Sequence, residues 1–488
     1  MPPSVERCEL APGFTVSRVL TGLWQIADLE SDGNALDPSA AAREMAPYVE
    51  AGFTAFDMAD HYGSSEIIAG TFARQNGPST GVELLTKWVP KPGRISRDTV
   101  RAAVDLSLSR LKADRLDLLQ FHAWAYHDPG WLDCLFWLQE LRDEGLIGHL
   151  GLTNFDTAHL RIVLASGIDV VSNQVCYSLI DGRAEGGMTE LCDAHGVKLL
   201  AYGTVAGGFL TERWLGAPEP DWDRLETASL MKYGRFIRVA GGWEPLQSVL
   251  QAIADVARKH GVSMANVACR YVLERPAVGG IIIGARLGRS DHIEDNLRLF
   301  DFSLDEEDVE RIEGARARLT PVPGDCGDEY RRPPFLTAAG DLSDHFDAFP
   351  PPYEARPVRD GRMRVLSGTV WEDLAGFSRA VREGNRILVS GTTATHGDRR
   401  VGGDDPAAQL HAIVDKAEGA IISLGGRLED VVRTRIYIND PDDWEAVSRA
   451  HGARLGSIQP ANTLIHAGLI GEGYRVEMEF EAVVPDGG

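Results

Sequence analysis

The chain has 488 residues, of which 44% are hydrophobic and 25% charged, a length and composition that indicate a globular protein with more than one domain. Its formal net charge of −23 argues against a nucleic-acid-binding protein, because phosphates require a basic surface. No apolar run is long enough to cross a membrane and the first residues lack the pattern of a signal peptide, so we expect a cytoplasmic protein. The 6 cysteines lack metal-ligand spacing, and we expect free thiols and no bound metal.

Residues 1–300 alternate between short apolar segments and helical stretches. Seven segments are predicted strands, an eighth is expected near residues 16–20, and the most regular helical patterns cover residues 97–111 and 245–260. Parallel strands need helical crossovers, so eight such units predict a closed (β/α)8 barrel of the α/β class. A doubly wound sheet is the alternative, although no G-x-G-x-x-G follows the first strand. The seven segments are FTAFDMA, VELLTKW, RLDLLQFH, IGHLGLTNF, DVVSNQVCY, VKLLAYGT and GGIIIGA.

A proline-rich stretch follows the predicted barrel. Eight prolines fall between residues 320 and 357, where regular structure is disfavoured. Four aromatic residues in this stretch argue against a bare linker: Tyr330, Phe335, Phe346 and Phe349. We therefore predict a barrel domain over residues 1–349, with a tail at 320–349 folded over one barrel face, and a join at 350–360.

Residues 361–488 show a different pattern and are predicted to form a small α+β domain. RILVSG, VVRTRIYIN and YRVEMEFEAVV are predicted strands, the last with alternating polarity. Asp405 and Pro406 provide an N-cap and a first-turn proline for a long helix that stops at a Gly-Gly pair. A second helix is predicted over residues 441–455. Strands around two helices, without strict alternation, favour an α+β fold.

Ionisable residues end three successive strands of the predicted barrel. Strand two ends in Asp57, with Tyr62 in the loop beyond it, strand three ends in Lys87 and strand four in His122. Barrels of this kind carry their reactive groups where the strands end. A tyrosine has a pKa of about 10, and a lysine ammonium held beside it by an aspartate would lower that pKa. With a histidine to hydrogen-bond a substrate oxygen, this group suits general-acid catalysis at a carbonyl.

These motifs resemble the aldo-keto reductase family. FDMADHYG matches the family's strand-two motif, LLTKW its lysine motif and LLQFH its histidine motif, and the resemblance extends over roughly residues 10–320. It implies that Tyr62 is the proton donor, that Lys87 and Asp57 tune it, and that His122 orients the carbonyl. The expected reaction is the reduction of an aldehyde, a ketone or a C=N group with a nicotinamide cofactor.

The resemblance also implies cofactor-binding residues. It assigns a hydroxyl–amide pair and a glutamine to the nicotinamide carboxamide, an aromatic ring to stacking on the nicotinamide, and the loop after the eighth strand to the adenosine 2′-phosphate. An arginine in that loop would bind the phosphate with paired hydrogen bonds, which favours NADPH over NADH. Two tryptophans are expected at the substrate. Thr153 and Asn154 are the hydroxyl–amide pair, Gln174 is the glutamine and Tyr202 is the aromatic ring. The residues expected at the 2′-phosphate are Gly284, Arg286, Arg289, Asp295 and Asn296. The two tryptophans are Trp24 and Trp124.

Residues 376–484 resemble the Rid (YjgF-like) family, whose deaminase members release ammonia from imines and enamines and form trimers with clefts between subunits. GFSRAVREGNRILVSGTTATHG, LEDVVRTRIYINDPDDW and EMEFEAVV carry the resemblance. The matching cleft residues are Phe377, Asn462 and Glu479. Asn462 stands where the family has the arginine that binds the substrate carboxylate, and Phe377 replaces a tyrosine. Standard deamination is therefore disfavoured.

Three functions remain open from the sequence. In the leading hypothesis the barrel reduces a small carbonyl or C=N compound with NADPH, while the second domain forms a homotrimer or handles an imine or enamine intermediate. In the second, the chain is a binding protein that senses the nicotinamide redox state. In the third, the Rid-like domain is the main enzyme and the barrel is its accessory. The complete set of four residues at the strand ends favours the first.

Overall fold

Eight parallel strands close into a barrel in the computed structural model, which describes residues 5–30, 36–77, 80–91, 93–288, 292–332, 349–359 and 361–485. In chain order the strands of this part are β1 (Arg7–Ala11), β2 (Phe14–Ser17), β3 (Val19–Gly22), β4 (Ala55–Asp57), β5 (Glu83–Trp88), β6 (Leu116–His122), β7 (Ile147–Thr153), β8 (Ser172–Cys176), β9 (Lys198–Tyr202) and β10 (Val278–Gly284). Strands β3 to β10 form the ring, which closes where β10 pairs with β3. The predicted (β/α)8 barrel is confirmed, and the doubly wound alternative is wrong.

A hairpin of β1 and β2 covers the end of the barrel opposite the strand carboxyl ends. Leu10 and Val16 pack into the barrel interior against Leu20 and its neighbours. Arg7 donates to Thr54 Oγ1 at 2.8 Å, just before β4 begins. The strand expected near residues 16–20 is therefore two strands, because the chain turns from the hairpin into β3 within that stretch.

Helices connect successive barrel strands and cover the outside of the ring. Those of the first part are α1 (Trp24–Glu30), α2 (Pro38–Arg43), α3 (Ala46–Glu50), α4 (Ser65–Asn76), α5 (Arg97–Leu111), α6 (Gly130–Asp143), α7 (Thr157–Ala165), α8 (Gly187–His195), α9 (Ala228–Val239), α10 (Trp243–His260), α11 (Met264–Leu273), α12 (Ile293–Arg298) and α13 (Glu306–Arg316). The helix predicted at 97–111 is confirmed as α5, and the one predicted at 245–260 begins two residues earlier as α10. Within the described ranges, no helix is long and apolar enough to cross a membrane.

The second part is a seven-stranded sheet with helices packed on one face, which confirms the α+β prediction. Its elements are β11 (Arg356–Arg359), β12 (Arg362–Val365), α14 (Val370–Ala375), β13 (Ala380–Glu383), β14 (Arg386–Thr393), β15 (Thr395–His396), β16 (Arg399–Arg400), α15 (Pro406–Ser423), β17 (Val431–Ile438), α16 (Trp444–Leu455), β18 (Ala461–His466) and β19 (Val476–Val483). The sheet order is β11-β12-β13-β14-β19-β17-β18. Among the described residues of this sheet, the pairing of β17 with β18 is parallel and the other pairings are antiparallel. Asp405 caps α15 as predicted, accepting from Ala407 N at 2.9 Å and Ala408 N at 3.0 Å.

Helix α15 packs between its own sheet and α7 of the barrel. Leu410 and Ile413 belong to the core of the second part, whereas Ala408 belongs to the barrel core, and Ala412 contacts both. Arg161 of α7 binds Asp405 at 2.7 Å on the rim of this contact. The helix is therefore buried around most of its circumference, and the two parts share an apolar interface.

A buried ion cluster lies within this interface. His159 of α7 binds Asp156 through Nδ1 at 2.5 Å and Asp415 of α15 through Nε2 at 2.9 Å, and Asp415 also binds Arg454 of α16 at 2.6 Å. Burial opposes the charged imidazole, but the two carboxylates outweigh it and raise the pKa of His159 above its usual value. Burial likewise opposes the charge of Asp415, and Arg454 with His159 holds the pKa of that carboxyl below its usual value. Charged partners therefore meet across the interface.

Candidate active site

Asp57 and Lys87 form a buried ion pair at the carboxyl ends of β4 and β5. Lys87 Nζ lies 2.7 Å from Asp57 Oδ1 and 2.6 Å from Oδ2, and the side chains are 2% and 5% exposed, in that order. Burial lowers the pKa of Lys87, and the attraction of Asp57 opposes that shift. The carboxylate therefore compensates the charge of an ammonium that is out of contact with water.

Two glutamines complete the hydrogen bonding of Asp57. Gln120 Nε2 donates to Asp57 Oδ1 at 3.1 Å, and Gln174 Nε2 donates to the same oxygen at 2.8 Å and to Gln120 Oε1 at 3.0 Å. Gln120 was not predicted from the sequence, because a polar residue inside a strand has no signature until its neighbours are known. Gln174 was expected to bind the nicotinamide carboxamide. Both hydrogens of its amide are used here, so Gln174 offers a ligand only its Oε1, as an acceptor.

Tyr62 lies in the loop after β4, beside the ion pair. Its ring centroid is 5.1 Å from Lys87 Nζ, and its side chain lines the main cleft. Asp60 N donates to Lys87 O at 2.9 Å, which ties the loop to β5. Glu30 of α1 accepts from Ser64 N at 2.8 Å and from Ser64 Oγ at 2.7 Å. The loop that carries the tyrosine is thus held from two sides.

His122 is 3% exposed at the end of β6, and its tautomer follows from its contacts. Its Nδ1 lies 3.1 Å from Thr153 O and must donate, since a carbonyl only accepts, while Nε2 has no hydrogen-bond partner among the described residues. Burial, and then the nearby Arg331 guanidinium, holds the pKa of His122 well below its usual range, so the ring is neutral. Its Nε2 is then an acceptor. His122 can therefore accept a hydrogen bond from a hydroxyl or N–H group of a substrate, and its expected role in orienting the carbonyl stays a prediction.

An open cleft of about 880 Å³ lies at the carboxyl ends of the barrel strands. The adjacent strand ends bring together residues far apart in the chain, because the strands are parallel and in register. Lys87 and His122 are not among the described residues that line this cleft; they lie directly behind Asp57 and Thr153, which do. The predicted site residues that line it are Trp24, Asp57, Tyr62, Thr153, Asn154, Gln174, Tyr202 and Gly284.

Unpartnered polar atoms in the cleft indicate a polar ligand. Thr153 Oγ1 and Gln25 Oε1 are buried without a hydrogen-bond partner among the described residues, and both side chains line the cleft. Buried polar atoms are rarely left unpaired. The loop after β9 also passes along the cleft with Gly203 and Gly207 at φ of 75° and 64°, where a Cβ would meet Tyr233 or the Ser229 backbone. Amide-binding side chains and a glycine-containing loop along the cleft fit a nicotinamide dinucleotide.

The hydroxyl of Tyr202 fixes the orientation of its ring. It lies 2.8 Å from Asn154 Oδ1 and 3.0 Å from Glu329 Oε1. Burial raises the pKa of Tyr202 well above its usual value, so the hydroxyl stays a donor. Glu329 is fully buried and pairs with Arg183 at 2.8 Å. Asn154 has φ of 57°, a left-handed conformation that asparagine adopts more readily than most residues.

Lys232 and Tyr330 form a wall of the cleft that sequence analysis did not predict as a pair. Lys232 of α9 donates to Tyr330 OH at 2.5 Å, and its Nζ lies 5.0 Å from the Tyr202 ring centroid. The Tyr330 ring lies 5.4 Å from that of His122. Lys232 belongs to a long segment after β9. Only the tertiary structure brings this segment into contact with Tyr330. The wall adds a buried cation to the cleft.

The chain after α13 lies across the loops at the carboxyl ends of the strands. Arg331 Nη1 donates to Asn154 O at 2.7 Å, and its other terminal nitrogen donates to Ala123 O. Asp325 Oδ2 accepts from Thr157 N at 2.9 Å. Residues 333–348, with Phe335 and Phe346, lie outside the described residues, so most of the expected tail at 320–349 stays a prediction.

The three cleft residues expected in the second part do not meet within one chain. Glu479 of β19 pairs with Arg435 at 2.9 Å and accepts from Tyr437 OH at 3.0 Å. Asn462 lies on the edge strand β18, next to β17. Phe377 precedes β13, which β14, β19 and β17 separate from β18. Phe377 and Asn462 therefore lie on opposite sides of these three strands, and their common role in a cleft stays a prediction.

Two family models match the chain. Residues 18–317 match the aldo/keto reductase family, which is more than half of the chain, and residues 370–484 match the endoribonuclease L-PSP family, to which Rid proteins belong. The chain belongs to the aldo/keto reductase family. Its second domain is a fused L-PSP (Rid) domain, as predicted.

Two relatives of this aldo/keto reductase match its barrel domain over about three quarters of their own length. Protein tas of Escherichia coli (strain K12) is 29% identical over 289 residues, 54% of this chain and 79% of the relative, and the chloroplastic pyridoxal reductase of Arabidopsis thaliana is 28% identical over 285 residues, 55% and 74% respectively. An uncharacterized protein of Streptomyces coelicolor is 41% identical over 120 residues, 24% of this chain and 90% of its own. Glycerol dehydrogenase of Gluconobacter oxydans, solved as a structure, has a TM-score of 0.54 and 23% identity over 66% of this chain and 98% of its own, a likeness of fold. The chain is an oxidoreductase enzyme, and its family reduces carbonyls with nicotinamide cofactors.

The structure places only part of the expected 2′-phosphate site of this reductase. Asp295 of α12 is engaged by α11, accepting from Ser263 Oγ at 2.8 Å and from Asn266 Nδ2 at 3.1 Å. Arg286 and Asn296 do not line the cleft that the described residues form. Arg289 lies outside the described residues. Phosphate binding by this loop therefore stays a prediction.

The two tryptophans expected at the substrate differ in position. Trp24 begins α1 and lines the cleft. Trp124 is buried, with its ring edge-on to His122 at 4.7 Å, and lines a neighbouring cavity with Phe349. Trp124 is therefore not among the described residues that line the cleft, although its ring packs against that of Tyr330, which does, at 6.1 Å.

The neutral state of His122 predicts the pH dependence of this reductase. Because its pKa is well below the usual range, we expect kcat/KM to show no histidine inflection near the ordinary value of 6.5. The measurement is the pH–rate profile of the wild type beside His122→Gln, whose amide keeps an acceptor. An inflection near 6.5 that disappears in the variant would contradict the assignment.

Proposed function

We propose that this reductase reduces a carbonyl or C=N group of a small molecule with NADPH, and that Tyr62 is the proton donor. The observation that carries the proposal is the Lys87–Asp57 pair buried against the Tyr62 ring in the cleft. An ammonium in this position stabilises the phenolate that remains after proton transfer. The stabilisation is larger in a buried site than in water, because the local dielectric is low.

NADPH, when bound, supplies a hydride to the electrophilic carbon. Thr153 Oγ1 and Gln174 Oε1 would bind its carboxamide, since both are available in the cleft. The Tyr202 ring would pack on the nicotinamide, with its orientation held by Asn154. The preference for NADPH over NADH rests on Arg286 or Arg289 near the 2′-phosphate.

Each residue of the catalytic group has one task in this proposal. Tyr62 donates its proton to the oxygen or nitrogen of the substrate while negative charge develops there. Lys87 stabilises the phenolate, and Asp57 keeps Lys87 oriented through both carboxylate oxygens. His122 Nε2 accepts a hydrogen bond from the hydroxyl of an alcohol product or from the N–H of an imine or amine. That acceptor is equally suited to both proposed substrate classes.

We propose that the second domain joins copies of the reductase into a homotrimer. The face of its sheet opposite α15 leaves Leu388 and Val432 49% and 46% exposed, although both lie within strands. Phe377 and Asn462 lie apart in one chain and would face a common ligand only between copies. Without a guanidinium at position 462, that cleft would suit a neutral imine or enamine better than one with a carboxylate.

The function is tested by adding NADPH or NADH to the full chain with a panel of aldehydes, ketones and cyclic imines. Pyridoxal belongs in the panel, because a relative is named for it. We expect oxidation of NADPH with at least one class, and a kcat/KM at least about tenfold above that for NADH, as one hydrogen bond to a charged group is worth about 1.5–3 kcal/mol. Light scattering on the same sample should give three chains per particle.

Two outcomes would contradict the proposal. Cofactor binding without turnover on any class would favour a sensor of nicotinamide redox state. Equal kcat/KM values for the two cofactors would remove the 2′-phosphate site from the proposal while leaving Tyr62 chemistry in place.

A further inference from the structure

A second cavity lies between the barrel and the second domain. Its volume is about 820 Å³, and among the described residues it shares no lining residue with the cleft at the strand ends. Barrel residues form one side and α15 with its neighbours forms the other. The lining residues that matter below are Tyr126, Trp131, Asp133, Thr369, His396 and Lys416.

Lys416 is the nucleophilic group of this cavity. It lies on α15, half-buried, and Nζ donates to Thr395 O at 2.8 Å. Burial, and then the Arg379 guanidinium, lowers the pKa of Lys416 to about 7. Glu372 opposes that shift, but its carboxylate is engaged by Arg379 Nε at 3.3 Å and by Ser367 N at 3.0 Å. A large fraction of the amine is therefore uncharged near neutral pH, and an uncharged lysine amine is a nucleophile.

The other walls suit a small, largely apolar molecule with one polar atom. Thr369 Oγ1 is buried without a hydrogen-bond partner among the described residues. The rings of Tyr126 and Trp131 supply apolar surface. At the rim, His396 Nε2 lies 2.9 Å from Asp133 Oδ1, and both side chains are partly exposed to solvent. A ligand can thus enter past an acid–base pair and meet an amine inside.

We propose that Lys416 captures a small aromatic aldehyde in this cavity as an imine. The lone pair of Nζ adds to the carbonyl carbon, and the C=O π electrons move to oxygen, which takes up a proton as nitrogen releases one. Loss of that oxygen as water leaves a C=N bond between Nζ and the former carbonyl carbon, so no oxidant or reductant is consumed. The Thr369 hydroxyl would hydrogen-bond the departing oxygen, and His396 with Asp133 would move protons to and from solvent. This goes beyond the proposed reductase activity and needs no cofactor.

The charges around the cavity favour a neutral electrophile over an anion. Asp133 lines it, and its carboxylate would repel a bound carboxylate or phosphate. Asp415 is already occupied by His159 and Arg454. An aldehyde carries no charge and uses the amine in its neutral form.

The test is reductive trapping. The full chain, without NADPH, is incubated with benzaldehyde and sodium cyanoborohydride, digested, and the modified lysines are located by mass spectrometry across a pH series. At pH 7 we expect Lys416 to be modified at least about a hundredfold faster than Lys259, because an ordinary lysine with a pKa of about 10.4 is almost wholly protonated there. Contacts with Asp305 and Asp308 raise the pKa of the exposed Lys259 further, which makes it a stringent internal reference. The rate at Lys416 should reach half its maximum at a pH of about 7.

Variants supply the second arm. Lys416→Arg keeps a cation on α15 but cannot form an imine, and it should lose the fast modification; Lys112→Arg, far from the cavity, should keep it. Modification of Lys416 no faster than of Lys259, or fast modification confined to Lys87 or Lys232 in the barrel cleft, would overturn the proposal. So would a rate at Lys416 that keeps rising to the pH of an ordinary lysine. None of these results depends on turnover with NADPH, so failure here is distinct from failure of the reductase assignment.

Discussion

Replacing Tyr62 by phenylalanine should lower kcat by about 10²–10⁴-fold while leaving cofactor binding intact, because the change removes the proton-donating hydroxyl and keeps the ring. The ring would keep its position over Lys87 Nζ, and the Asp57–Lys87 pair does not depend on the phenol. The measurement compares single-turnover rates with a titration of cofactor fluorescence. A carbonyl oxygen that gains charge without a proton source reaches the transition state only with help from water.

Tyr330→Phe is the matched control for this prediction. Tyr330 lies in the same cleft and also contacts a lysine, but that lysine is Lys232 rather than Lys87. Its loss should alter KM far more than kcat, since Tyr330 shapes the wall without a role in proton transfer. If Tyr62→Phe keeps kcat within tenfold of the wild type, the proton donor is another group.

Asp415→Asn should lower the free energy of unfolding by about 3 kcal/mol or more, because it leaves two buried cations without their shared carboxylate. His159 lies on the barrel side of that carboxylate and Arg454 on the other, so the loss falls on the contact between the domains. Urea unfolding followed by tryptophan fluorescence measures the change.

Asp405→Asn gives the matched control at the same interface. Asp405 pairs with Arg161, but these side chains are 27% and 39% exposed, and an exposed pair contributes about 0–1 kcal/mol. Asparagine is also a good N-cap, so α15 keeps its first turn. Equal losses of unfolding free energy in the two variants would mean that the buried cluster stabilises the interface no more than the exposed pair does.

The buried cluster also sets a pH window for the interface. The contribution of His159 to the free energy of unfolding is fully present below its usual pKa of 6.5. It is lost as the pH rises through the raised pKa of His159 in the folded chain. The contribution of Asp415 is present above its usual pKa of 3.8 and is lost as pH falls through its lowered folded value. The interface is therefore most stable between 3.8 and 6.5, and the difference between wild type and Asp415→Asn should shrink on the alkaline side.

The positions of Asp57, Lys87 and His122 on one rim could be predicted from sequence because barrel geometry makes position along a strand sufficient; their catalytic roles stay a proposal. Asp57, Lys87 and His122 each end an apolar segment, and closure of parallel strands places such ends on one rim whatever the sequence separation. Local signals also sufficed at Asp405, where the cap and the proline after it mark the start of α15. Short-range patterns thus determined the barrel, the second domain and the outline of the site.

Residues that join distant segments could not be predicted in the same way. Lys232 and Tyr330 meet across 98 residues of sequence, and Gln120 reaches Asp57 across 63. The tautomer of His122 depends on the carbonyl oxygen of Thr153, a main-chain atom that no side-chain pattern reveals. Folding brings these contacts about, so composition and spacing carry no trace of them.

Helix α15 joins the two parts of the chain through packing, in addition to the segment that connects them. Its residues complete the second domain's core on one side and cover the outer helix α7 of the barrel on the other. Cutting the chain at the proline-rich segment would expose the barrel face of α15 to water. It would also place His159 and Asp415 on separate fragments, each without its charged partner. Expressed alone, either half would present an apolar patch with a buried charge at its centre, a surface prone to aggregation. The two parts are therefore held together by packing as well as by the connecting chain, and we expect truncation to destabilise both.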